Sequence, residues 1–93
     1  MTPGRISGHA LRRAEQRFGF RADDVRAIQA SLRQRRPDAM TEGCEAHKTE
    51  HKGNALVAIY HRDKDLVVTL LPSTAIVEEN GHLRVRRKRE VPA

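Results

Sequence analysis

The chain has no tryptophan, one tyrosine and two phenylalanines among its 93 residues. A folded core therefore has to be built mainly from aliphatic side chains. The same scarcity argues against a single-strand binding platform of stacked aromatic rings, so contact with nucleic acid would have to run through phosphate. A lone cysteine, Cys44, excludes an internal disulfide. No apolar run is long enough to span a bilayer and the first residues show no leader pattern, so the chain is expected to be cytoplasmic, with no membrane partner. This length suffices for one core between two layers of structure, not for two.

What the chain does have is positive charge, +6 overall, in a segregated pattern. Residues 1–36 hold nine basic and three acidic side chains, residues 37–83 four and eight, and residues 84–93 five and one. Charge of this size points to an anionic partner and says nothing about fold. Arginine makes up fourteen of the eighteen basic residues. Its planar fork suits phosphate oxygens better than the point charge of lysine, although high genomic GC content would enrich it too.

The segment from Ser7 to Gly19 reads as a capped amphipathic helix. Ser7 can cap the free amides of the first turn, and Gly19 supplies the left-handed stop. Ala10, Leu11, Ala14 and Phe18 share one face. His9, Arg13 and Arg17 recur at i, i+4, i+8 on the other, flanked by Arg12 and Gln16. A solvated surface face is the plain alternative for this set.

Residues 22–36 are expected to form a second helix, with Asp23 and Asp24 complementing its dipole, Val25, Ile28 and Leu32 as its apolar stripe, and Pro37 ending it. Residues 38–46 read as a polar loop. Strands follow at about 46–51, 55–61 and 66–71, the first two separated by a turn at Gly53-Asn54 and the last two by the charged turn 62–65. Residues 73–79 fit either a strand or a loop, and Asn80-Gly81 favours a hairpin turn into 82–86. The expected architecture is α+β, with two N-terminal helices packed on a three- or four-stranded antiparallel sheet. The domain would span 1–83, followed by a basic arm over 84–93.

Ser7-Gly8-His9-Ala10 with Arg13 and Arg17, followed by the strand sequences Leu56-Val57-Ala58-Ile59-Tyr60 and Leu66-Val67-Val68-Thr69-Leu70-Leu71, resembles small toxin and phage proteins of the RelE, barnase and EndoU-like ribonuclease fold group. The resemblance covers roughly half the chain. Phe20-Arg21 departs from the aliphatic residue and Ser or Thr cap that relatives often carry there. The resemblance implies a metal-independent endoribonuclease, with helix residues facing catalytic and phosphate-binding residues on the sheet. Cleavage of that kind needs a base for the ribose 2′-hydroxyl, donors for the charged phosphorane and an acid for the leaving oxygen. His9 would be the acid or base, Arg13 and Arg17 the phosphate clamps, and Thr69 a hydroxyl donor near the end of a central strand. Arg12 would add to the cationic helix face, and His61 or Lys52 could complete the set. No cofactor is implied. RNA is the expected substrate, and an acidic antitoxin or a host protein the expected protein partner.

Two further patterns stand apart. Arg84, Arg86, Arg87, Lys88 and Arg89 place five cations in six residues, which suits either salt-sensitive binding to phosphates or a solubilising tail. Cys44, His47 and His51 have zinc-ligand chemistry, but no fourth ligand lies nearby and a strand would send Cys44 away from the histidines, so no metal is expected. The alternative function is a non-catalytic basic protein that binds nucleic acid or occupies the surface of a host enzyme.

Overall fold

The computed structural model describes residues 5–86. Strand β1 (Arg5–Ile6) leads into helices α1 (Gly8–Phe18) and α2 (Ala22–Leu32). Strands β2 (Ala39–Thr41), β3 (Cys44–His51), β4 (Asn54–His61) and β5 (Leu66–Pro72) follow, and after a short 3₁₀ turn at Ser73–Ala75 come β6 (Ile76–Glu79) and β7 (His82–Val85). The class is α+β with N-terminal helices, as expected, but the sheet is larger and mixed. It has five strands in the order β1-β5-β4-β3-β2, with β1 parallel to β5 and the other pairs antiparallel, while β6 and β7 form a separate two-stranded sheet.

The sheet separates two apolar layers. Towards the helices, Leu56, Ala58, Tyr60, Val67 and Leu70 meet Ala10, Ala14, Val25, Ile28 and Leu32. On the opposite face Ala46, Val57 and Ile59 lie against Ile76, Leu83 and Val85 of the hairpin. The aliphatic core inferred from the missing aromatics is thus two half-cores, one on each side of β4.

Three two-residue turns share one geometry. Glu42-Gly43, Lys52-Gly53 and Asn80-Gly81 all have both residues at positive φ, the mirror-image turn whose twist matches that of paired strands. The β3–β4 turn is therefore Lys52-Gly53 and not Gly53-Asn54. Lys52, at φ 51°, occupies a conformation that a residue with a Cβ visits rarely.

Helix α2 ends at Leu32, short of the expected position 36. Its carboxyl end is claimed by Arg62, whose guanidinium donates to the carbonyls of Leu32 (3.2 Å), Arg33 (3.0 Å) and Arg35 (2.8 Å). The same group pairs with Glu45 on β3, with Nε 2.6 Å from Oε2 and Nη2 2.9 Å from Oε1. Glu45 is buried and His47, fully buried beside it, places Nε2 2.7 Å from its Oε1. Asp65 reinforces this end by accepting from the Tyr60 hydroxyl and from Arg33. Burial and that hydrogen bond push the Tyr60 phenol up to about 12.

The amino end of α2 is held by Asp24, which accepts from the Arg21 amide (2.9 Å) and meets both His51 (3.0 Å) and Lys52 (2.8 Å) across the β3–β4 turn. Segments 39–41 and 44–45, expected as loop, become β2 and the start of β3 because pairing with the neighbouring strand satisfies their backbone groups. Leu70 is fully buried between α1 and β4. Replacing it by alanine leaves a void at the helix–sheet junction, and urea titration should show a loss of about 3 kcal/mol with an unchanged m-value.

Candidate nucleic-acid interface

Helix α1 lies along the edge of β5 and is fastened there at both ends. The Ser7 hydroxyl accepts the Ala10 amide (2.9 Å), capping the helix as expected, and donates to the Val68 carbonyl (2.7 Å). The Ser7 amide donates to Val67 (3.1 Å). At the other end Gly19, at φ 69°, stops the helix, and Arg17 donates through Nη1 to the Leu70 carbonyl (2.7 Å). These bonds follow from the pairing. β1 covers β5 only at Leu66 and Val67, which leaves the later edge carbonyls of β5 to side chains from α1.

Ala10 and Ala14 are fully buried under the helix. Their small size lets the α1 backbone sit close to the sheet, so the outer face stands clear of it. His9, Arg12, Gln16 and Arg17 are exposed there and Arg13 is half-buried. Arg13 reaches Gln16 at 3.4 Å, and among the described residues none of His9, Arg12, Arg13 or Arg17 forms an ion pair.

Four carboxylates are paired with cations outside α1, and Glu15, the one acid on α1, is exposed and forms no ion pair among the described residues. Asp65 holds Arg33, Asp38 lies near Arg35, Glu45 holds Arg62 and Asp24 holds Lys52, while Arg84 pairs with Glu79. The positive charge of α1 is therefore uncompensated by contact. This partition of charge is the arrangement most relevant to an anionic ligand.

The other expected residues fall in different places. Thr69 does not join His9 and Arg13. Strict alternation from Val67, which faces the helices, would turn Thr69 the same way, but an irregularity between Ile59 and Tyr60 leaves Val68 as an extra residue and flips Thr69 to the hairpin face opposite Ile59. His61, at the end of β4, accepts the Lys64 amide through Nδ1 (3.3 Å). Lys52 spends its ammonium on Asp24. Arg84 is a β7 residue paired with Glu79, Arg86 follows the strand, and Arg87, Lys88 and Arg89 lie outside the described residues.

Cys44, His47 and His51 do not converge. Alternation along β3 puts Cys44 on the hairpin face, His47 in the core beside Glu45, and His51 against Asp24 and the edge of Phe20. Among the described residues no group of three or more such side chains is placed to hold a metal ion. Sequence reading missed the polar cluster of Glu45, His47 and Arg62 beneath the helices. Its only sequence signal is polar residues at alternate positions of β3, which looks the same as a solvated strand face.

No family model, curated protein or solved structure matches this chain. No helix among the described residues is long and apolar enough to cross a membrane.

Three carboxylates are held below their ordinary range: Asp24 by Lys52, the Arg21 amide and His51, Glu45 by Arg62, and Asp65 by Arg33 and Tyr60. A depressed folded value means stability that is fully present above the unfolded carboxylate value near 4, and lost as pH falls through the folded one. The melting temperature should accordingly hold steady from neutral pH to about 5 and drop steeply below about 4. Asp24→Asn should lower the plateau and soften the drop; a variant that melts like the parent at every pH would show that Asp24 holds nothing.

Proposed function

We propose that this chain binds RNA through its phosphodiester backbone, using the outer face of α1. The single observation that carries the reading is the set of four side chains, His9, Arg12, Arg13 and Arg17, on one helix fastened to β5, none of them in an ion pair among the described residues. Arg12 and Arg13 are the primary phosphate contacts, since their forks are free of backbone duties. Arg17 acts from the flank, because one of its N–H groups is committed to Leu70. The same face complements an acidic protein, and an antitoxin or host partner would compete with RNA for it.

Metal-independent cleavage is the second reading, favoured by the position of His9. It is exposed, it has no hydrogen-bond or ion-pair partner among the described residues, and it lies one turn from Arg13 on the same face. An imidazole serves as acid or base for a 2′-hydroxyl attack, while Arg12 and Arg13 stabilise the charged phosphorane. Thr69, on the other side of the sheet, takes no part in that set.

Fluorescence anisotropy with a labelled single-stranded RNA, read across a salt series in EDTA, tests both. The Arg12→Gln/Arg13→Gln variant should bind more weakly, with the log–log salt slope reduced by about 0.7 for each contact removed. An unchanged slope would take α1 out of the interface. Loss of the RNA signal through cleavage by the parent, and its retention with His9→Ala at equal affinity, would establish turnover; intact RNA with both proteins would leave binding as the function.

A further inference from the structure

The hairpin β6–β7 stands over the face of the sheet that the helices do not cover, and between them lies a cleft of about 620 Å³. Its apolar wall is formed by Ile59, Val68, Leu71 and Val85, and its polar side by Thr69, Arg86, Glu42, Thr41 and Cys44. The volume is within the usual range for a small-molecule site, and so is the balance of an apolar wall with a few polar groups.

Two of those polar groups are left over from folding. Among the described residues, three buried polar side-chain atoms lack a hydrogen-bond partner, and Thr69 Oγ1 and Arg86 Nε are two of them. Both residues line this one cleft. Buried donors are normally satisfied, so two unpaired ones beside one cavity mark it as a place where an acceptor is missing among the described residues. Arg86 has no ion pair among the described residues, although Glu42 is on the same cleft. Thr69 arrives there through the bulge at Val68, which breaks the alternation that would otherwise point it at the helices. Neither donor atom is reached by solvent, so engagement takes a rotation of each side chain towards the cavity.

We infer that this cleft is a binding site for a nucleoside monophosphate, separate from the α1 face and on the opposite side of the sheet. The phosphate oxygens take up the Arg86 guanidinium and the Thr69 hydroxyl, a charge-assisted fork plus one neutral donor. The base lies against Ile59, Val68, Leu71 and Val85, and the Glu42 carboxylate on the rim accepts from ribose hydroxyls. The ligand is either a free nucleotide or the terminal nucleotide of an RNA strand, since both present the same group.

Isothermal titration of the full chain with the four nucleoside 5′-monophosphates, their nucleosides and inorganic phosphate tests the assignment. At least one monophosphate should bind about tenfold more tightly than its nucleoside and than phosphate alone, as a charge-assisted phosphate contact requires. Arg86→Gln should remove about tenfold of that affinity and Thr69→Val a smaller factor, both with a parental melting temperature. The Arg12→Gln/Arg13→Gln variant should bind the nucleotide as the parent does. A 5′-phosphorylated RNA that competes with the nucleotide, where its 5′-hydroxyl counterpart does not, identifies the strand terminus as a source; absence of competition identifies the free nucleotide. Monophosphates that bind no better than phosphate, affinity retained in Arg86→Gln, or affinity lost in the α1 variant would each overturn the assignment.

Discussion

Among the described residues, the guanidinium of Arg62 makes more side-chain hydrogen bonds than any other group. It stands just past β4 and reaches the carbonyl end of α2 and the carboxylate of Glu45 on β3, so one planar cation closes three elements on each other. Arg62 is the main group that holds the Glu45 carboxyl below its ordinary range, with His47 adding to it, and a buried carboxylate that loses its partner is among the more costly defects a core can carry. His47, wholly buried beside Glu45, depends on the same arrangement. With Asp65 at that end and Asp24 at the other, α2 is pinned through charge as much as through its Val25, Ile28 and Leu32 stripe.

That use of charge has a consequence for α1. Asp38, Glu45 and Asp65 from the middle of the chain pair with Arg35, Arg62 and Arg33, and Asp24 of α2 pairs with Lys52. Helix α1 is held by other means: two buried alanines, a serine that both caps the helix and bonds β5, and one N–H of Arg17. The two helices thus divide the work. One is held through ion pairs, while the cations of the other form no ion pair among the described residues.

How much of this is legible in the sequence depends on how local the determinants are. The Ser7 cap, the Gly19 stop and the Asn80-Gly81 hairpin each need only a few neighbouring residues, and each is where the sequence places it. The strands β4 and β5 are similarly plain from their β-branched runs. β1 is not, because two residues become a strand only when β5 lies alongside them. The end of α2 is hidden for the same reason: nothing in residues 33–36 opposes a helix, and the group that takes their carbonyls sits about thirty residues away. Thr69 shows the limit for a candidate site. A single extra residue at Val68 moved it to the far side of the sheet, away from His9 and into company with Arg86, which strict alternation would not have foretold.

Asp24, Asp38, Glu45 and Asp65 pair with cations around α2, and the proposed RNA-binding face is that of α1. Amide chemical-shift mapping during titration with a short single-stranded RNA tests it most directly. Shifts should concentrate over residues 7–17 and fall away as salt is raised, with α2 and the turn at Lys52-Gly53 silent. Shifts centred on α2 or on β2 and β3, with residues 7–17 unmoved at saturation, would contradict it.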